Sequence, residues 1–129
     1  MAPHLIQRVT ILGTGLIGGS FALALRKYAP DMHIAGWDRA EVVHQAQKSG
    51  AINEGFSDSL ALALQNSDLI YIALPIGTTM DLLSEIARNA PSHALVTDAS
   101  STKQRITQAA AELFPQEGGP YFLGGHPMA

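Results

Sequence analysis

The chain has 129 residues, which is the length of one domain large enough to bury a core of its own. Its residues are 47% hydrophobic and 15% charged, which excludes a disordered tail, and the formal net charge of −3 gives no basic surface for nucleic acid. The chain has no cysteine, which excludes disulfides, thiolate metal sites and a thiol nucleophile.

Short apolar segments alternate with helical ones along the whole chain. Pro30, Gly50 and Pro91 end three of the helices, and Ser57 or Ser59 caps another. In chain order we predict strand 8–12, helix 16–28, strand 33–37, helix 39–49, strand 51–54, helix 60–65, strand 68–73, helix 79–89, strand 94–97, helix 102–114 and strand 121–123. This alternation, with right-handed crossovers, predicts a single α/β domain with a doubly wound, mostly parallel sheet of the Rossmann type.

A glycine-rich turn joins the first predicted strand to the first helix. Gly13-Thr-Gly15-Leu-Ile-Gly18 has the pattern G-x-G-x-x-G. In a dinucleotide site the first glycine permits a tight turn, the second lets the backbone approach a pyrophosphate, and the third lets helix and strand pack closely. We therefore predict that Gly13, Gly15, Leu16, Ile17 and Gly18 bind a dinucleotide. The alternative is a glycine-rich turn that holds no ligand.

Asp38 closes the second predicted strand, twenty residues after Gly18. An acidic side chain at this distance accepts hydrogen bonds from the adenosine ribose hydroxyls and repels a 2′-phosphate, which favours NAD over NADP. The alternative is that Asp38 caps the next helix, with Glu41 completing a capping box. Arg39 is also predicted to contact the cofactor, because its guanidinium could stack on adenine or tolerate a 2′-phosphate.

Two further loops follow strands at the same edge of the predicted sheet. Leu74 and Pro75 are predicted to contact the nicotinamide half of the cofactor, although Pro75 alone could simply begin a helix. Ser101 lies three residues before Gln104, which fits either a capping box or a contact to substrate.

His126 is one of five histidines, and no two of them have the spacing of metal ligands, so we expect no metal site. On the residues alone, His126 is either structural or functional. No apolar run approaches the ~18–20 residues that cross a bilayer. Residues 1–8 lack the pattern of a secretion signal. We therefore expect a soluble cytoplasmic domain with no nucleic-acid or membrane partner.

Four blocks together resemble the dinucleotide domain of the prephenate and arogenate dehydrogenases of tyrosine biosynthesis. They are Ile11-Leu-Gly-Thr-Gly-Leu-Ile-Gly-Gly-Ser20, Gly36-Trp-Asp-Arg39, Asp98-Ala-Ser-Ser-Thr-Lys103 and Gly124-Gly-His-Pro-Met-Ala129. The first block is shared by many NAD(P) enzymes, whereas the last two, in this order and spacing, are much more specific. The resemblance covers essentially the whole chain.

The resemblance implies NAD-dependent oxidative decarboxylation of prephenate or arogenate. A hydride leaves the ring carbon that bears the hydroxyl and passes to the nicotinamide, carbon dioxide departs, and the ring becomes aromatic. His126 matches the family's histidine that accepts a hydrogen bond or a proton from that hydroxyl, a role that suits a neutral imidazole. Ser101 matches the serine that contacts the same region of the substrate, and Ser100 is assigned to the cofactor.

The family resembles a two-part enzyme, in which a helical domain follows, forms a homodimer and supplies an arginine for the substrate carboxylate. We therefore expect residues 1–129 to be the dinucleotide-binding domain alone, able to bind NAD but turning over substrate poorly or not at all. Two alternatives remain open: a domain of a β-hydroxyacid-type NAD(P) dehydrogenase, and an NAD-binding module without catalysis. The Gly-Gly-His-Pro block disfavours the first, and the retained His126 and Ser101 disfavour the second.

Overall fold

The structure is a computed structural model that describes residues 6–99, 103–115 and 117–124. Its strands are β1 (Arg8–Leu12), β2 (His33–Trp37), β3 (Glu54–Phe56), β4 (Leu69–Ile72), β5 (Leu95–Asp98) and β6 (Tyr121–Phe122). Its helices are α1 (Leu16–Tyr28), α2 (Ala40–Lys48), α3 (Leu60–Leu64), α4 (Ile76–Asn89) and α5 (Lys103–Leu113). The strands form one six-stranded sheet in the order β3-β2-β1-β4-β5-β6. Every neighbouring pair is parallel, which confirms the predicted doubly wound fold.

The sheet is buried on both faces, and its central strands are mostly apolar, with the polar Thr10 of β1 buried among them. Val9 and Ile11 of β1 pack with residues of α1 and α2 on one face. Leu12 packs on the other face with Ile72 of β4 and Leu83 of α4. Side chains along a strand alternate between faces, so a parallel strand covered on both sides has no polar side. This explains why β1 and β2 have the bounds that the sequence predicts.

The third strand lies further along the chain than predicted, at Glu54–Phe56 instead of 51–54. Ala51 and Ile52 are buried, but they pack in the core just after α2, and the Ala51 N–H donates to the carbonyl of Ala46 at 3.0 Å. The Asn53 side chain then accepts a hydrogen bond from the Ile34 N–H at 2.8 Å, in the place of a strand partner. The apolar residues that suggested a strand therefore belong to a helix exit.

The fourth helix begins at Ile76, three residues before the predicted start at Thr79. Pro75 is its N-cap, and the Thr79 N–H donates to the Pro75 carbonyl at 2.9 Å. Gly77 lies inside the first turn. The prediction was wrong here because a glycine near a helix start costs little once the flanking residues pack.

Polar side chains at the amino ends of the strands are bonded to one another. Asp68 Oδ2 accepts hydrogen bonds from the backbone N–H groups of Gln7 and Arg8, at 2.8 and 2.9 Å. Its Oδ1 lies 2.8 Å from His93 Nε2, and the Arg8 guanidinium lies 3.3 Å from Glu54 Oε1. The amino edge of the sheet is therefore stabilised by hydrogen bonds and ion pairs within the protein.

Two classes of feature are absent from the part of the chain that the structure describes. No helix in it is long and apolar enough to span a membrane. No group of three or more histidine, aspartate or glutamate side chains in it is arranged to hold a metal ion.

Candidate functional site

Two glycines of the turn between β1 and α1 are required by packing. Gly13 has a φ of +93°, and a Cβ there would lie 2.5 Å from the carbonyl oxygen of Ala73. A Cβ on Gly18 would overlap the carbonyl oxygen of Gly13. A Cβ on Gly13 would push the turn away from the residues that follow β4, and a Cβ on Gly18 would push α1 away from the turn. These two residues would therefore be glycine whether or not a ligand binds.

Gly15 is different, because none of its described neighbours requires a glycine. It is the N-cap of α1 with a φ of −76°, and a Cβ there would meet no described atom within 4 Å. The position opens onto the N-terminus of a 13-residue helix, whose first N–H groups and dipole favour an anion. The missing side chain leaves room for a diphosphate to approach the backbone.

Asp38 connects the end of β2 to this turn. Its Oδ2 accepts a hydrogen bond from the Thr14 N–H at 2.8 Å, and its Oδ1 accepts one from the Arg39 N–H at 2.7 Å. The N-cap of α2 is Arg39, and no side chain caps that helix. The alternative that Asp38 caps α2 with Glu41 is therefore wrong. The carboxylate is held in place, and its remaining lone pairs can accept hydrogen bonds from a ligand.

A cavity of about 520 Å³ opens at the carboxyl edge of the sheet. It is lined by Gly13, Gly15, Trp37, Asp38, Arg39, Ser57, Ala73, Leu74, Pro75 and Thr78. Six of the predicted cofactor residues are thus brought together around one space. The guanidinium of Arg39 is exposed and lies 3.9 Å from Glu41 Oε1.

Three polar or aromatic residues that line this cavity were not among the predicted cofactor residues. Ser57 follows β3 directly, and Thr78 lies in the first turn of α4, so the two misplaced boundaries hid both residues. Trp37 is the last residue of β2; it packs against the core while it lines the cavity, and its Nε1 is buried without a hydrogen-bond partner in the described ranges. Position at or just beyond a strand end could have found Trp37 and Ser57, whereas Thr78 follows only from where α4 begins.

The remaining predicted residues do not line this cavity. Leu16 and Ile17 lie in the first turn of α1, with 87% and 52% of their surface exposed. Gly18 is buried within α1. Ser100, Ser101 and His126 lie outside the described residues.

Tyr71 of β4 stacks on Phe21 of α1, with ring centroids 4.1 Å apart. Burial raises the pKa of its hydroxyl above the ordinary value of 10.0, and the nearby Asp98 carboxylate raises it further. Because the pKa of Tyr71 is higher in the folded state than in the unfolded state, the neutral phenol makes its full contribution to stability below pH 10.0. That contribution is lost as the pH rises through the folded-state pKa.

We therefore expect the free energy of unfolding of the wild-type protein to fall more steeply above pH 10.0 than that of a Tyr71→Phe variant. Urea denaturation at a series of alkaline pH values measures this difference. Tyr28→Phe is the matched control, because Tyr28 is 78% exposed. Identical alkaline slopes for the wild type and Tyr71→Phe would contradict the expectation.

A comparison with protein families matches this chain to one family. The family model described as "Prephenate dehydrogenase, nucleotide-binding domain" matches residues 21–129. A curated prephenate dehydrogenase of Lactococcus lactis subsp. cremoris is 42% identical over 125 residues, which are 96% of this chain and 34% of that protein. The chain thus spans about a third of the length of that relative.

Two solved structures have the same fold and similar sequences. A crystal structure of the A. aeolicus prephenate dehydrogenase, in complex with hydroxyphenyl propionate and NAD+, is 29% identical with a TM-score of 0.86 and covers 98% of this chain and 43% of its own. A crystal structure of the Synechocystis arogenate dehydrogenase is 30% identical with a TM-score of 0.80 and covers 93% of this chain and 40% of its own.

Proposed function

Because the chain belongs to the family of prephenate dehydrogenase nucleotide-binding domains, we propose that it binds NAD at the carboxyl edge of its sheet. The observation that carries this proposal is Gly15. Packing explains Gly13 and Gly18, whereas a Cβ on Gly15 would meet no described atom within 4 Å, so the open N-terminus of α1 has room for a diphosphate at its N–H groups. The A. aeolicus relative was crystallised with NAD+.

The two halves of the cavity suit the two polar parts of an adenosine diphosphate. The diphosphate fits over Gly15, against the N–H groups of the first turn of α1. The ribose hydroxyls fit the Asp38 carboxylate, which backbone N–H groups already hold. The adenine ring then lies between Arg39 and Leu74, so we propose that Leu74 and Pro75 contact the adenosine half instead of the nicotinamide half.

For the whole protein we propose the oxidative decarboxylation of prephenate or arogenate in tyrosine biosynthesis. NAD, when bound, supplies the acceptor for the hydride that leaves the ring carbon bearing the hydroxyl. His126 accepts the proton of that hydroxyl, and Ser101 binds the same region of the substrate, with Ser100 toward the cofactor. This assignment is supported by the family match over residues 21–129, which include all three.

We propose that residues 1–129 serve as the dinucleotide-binding part of a longer homodimeric cytoplasmic enzyme. The relatives supply the reason, because the chain spans 34% of the L. lactis protein and 43% of the A. aeolicus chain.

The direct test of NAD binding is a calorimetric titration with NAD and with NADP. We expect the wild-type protein to bind NAD more tightly, because the Asp38 carboxylate repels a 2′-phosphate. Asp38→Asn should weaken NAD binding by about tenfold, since a charge-assisted hydrogen bond is lost, and should reduce the preference over NADP. Asp31→Asn, a change at an exposed residue outside the cavity, is the control. A preference for NADP in the wild type would assign Arg39 the larger role.

His126→Asn separates a catalytic histidine from a cofactor-binding one. We expect this variant to bind NAD with unchanged affinity, because a residue that takes the substrate proton makes no contact that NAD binding needs. Calorimetric titration of the variant beside the wild type measures this. A large loss of NAD affinity would place His126 on the cofactor and leave the catalytic assignment without support.

A further inference from the structure

Two hydroxyl groups line the cavity from segments that are far apart in the chain. Ser57 follows the end of β3, and Thr78 lies in the first turn of α4. Both residues are exposed, and among the described residues neither hydroxyl has a hydrogen-bond partner. A ligand in the cavity can therefore use both groups without breaking a contact within the protein.

Neighbouring hydroxyls of the same types are already used by the fold. Ser59 Oγ accepts a hydrogen bond from the Leu62 N–H at 3.1 Å and caps α3. Thr79 Oγ1 donates to the Leu74 carbonyl at 3.3 Å in the first turn of α4. Each segment thus contains one hydroxyl that stabilises a helix and one whose residue lines the cavity.

The rest of this end of the cavity suits a flat aromatic ring. Leu74 and Pro75 offer an aliphatic surface, and the Arg39 guanidinium is a planar cation that stacks on aromatic faces. These groups would contact the two faces of such a ring, and the hydrogen-bonding groups along its nitrogen-bearing edge would still need partners. Adenine has both donors and acceptors along that edge, and a hydroxyl can serve either.

We infer that Ser57 and Thr78 determine the affinity of the site for the adenine base by hydrogen bonding its edge. This inference rests on the proposed function, because it requires that a dinucleotide binds with its ribose at Asp38. It adds two residues to the cofactor site and assigns the base to them.

The test compares Ser57→Ala and Thr78→Val with the matched variants Ser59→Ala and Thr79→Val, using NAD and ADP-ribose as calorimetric probes. We expect each cavity variant to bind both probes about five- to tenfold more weakly, as the loss of one hydrogen bond predicts, with an unchanged thermal midpoint. The matched variants should have a lower thermal midpoint and unchanged affinity for both probes.

The outcomes separate this inference from the proposal that it rests on. Failure of the wild-type protein to bind NAD would overturn both. Tight wild-type binding with no loss in either cavity variant would overturn the inference alone. A loss for NAD without a loss for ADP-ribose, which lacks nicotinamide, would overturn it as well, because the hydroxyls would then contact the other end of the dinucleotide.

Discussion

Gly15→Ala is expected to weaken NAD binding by about 10- to 100-fold, which corresponds to about 1.4 to 2.8 kcal/mol. The new methyl group would occupy the open space at the N-terminus of α1, where the diphosphate has to approach the backbone. The fold should change little, because a Cβ at this position meets no described atom within 4 Å. Alanine is a poorer N-cap than glycine, so we expect a loss of at most about 1 kcal/mol in the free energy of unfolding. Calorimetry and urea denaturation measure the two quantities separately.

Gly77→Ala is the matched control for that variant. Gly77 also lies in a first helical turn, a Cβ there also meets no described atom within 4 Å, and the residue does not line the cavity. We expect unchanged NAD affinity and a gain of up to about 1 kcal/mol in stability, because alanine favours a helix over glycine. Equal losses of affinity in both variants, or none in either, would contradict the role assigned to Gly15.

Gly18→Ala is expected to destabilise the fold by about 3 kcal/mol, with the free energy of unfolding measured by urea denaturation. The added Cβ would overlap the Gly13 carbonyl oxygen. Because that oxygen belongs to the backbone, it cannot rotate away as the end of a flexible side chain could. The helix would have to move off β1, whose residues form the centre of the core.

The next helical position supplies the control. A Cβ on Gly19 would lie 3.3 Å from the Thr14 carbonyl oxygen, a contact that a small shift relieves. Gly19→Ala should therefore lose far less stability than Gly18→Ala. If Gly18→Ala proved as stable as the wild type, the third glycine would have to be explained by the ligand and not by packing.

The sequence could predict those elements whose bounds depend on burial alone. Apart from Arg8, Thr10 and His33, the residues of β1 and β2 are apolar, and both strands have the predicted bounds. For β3 the same criterion failed, because Ala51 and Ile52 are apolar for a different reason, the packing of a helix exit. Which apolar residues pair with a strand is a property of the tertiary structure, and a single sequence does not contain it.

The candidate site was predictable to a similar degree. The glycine pattern and the acidic residue at the end of β2 follow from local spacing, and both lie at one cavity. The hydrogen bond between Thr14 and Asp38, which are 24 residues apart, depends on how the turn folds over the strand end. Ser57 and Thr78 were missed for a simpler reason, since Ser57 lies just after β3 and Thr78 in the first turn of α4, and the boundaries of both elements were misplaced. The roles of Ser100, Ser101 and His126 stay predictions.

Trp37 gives the domain an intrinsic optical sensor. It is the only tryptophan in the sequence, and its indole is in contact with the core on one side and with the cavity on the other. A ligand that fills the cavity alters the emission intensity of that indole, whereas unfolding exposes it to water and shifts the emission to longer wavelength. Binding and denaturation can thus be followed in one fluorescence experiment, without a dye or a label, and distinguished by the emission wavelength.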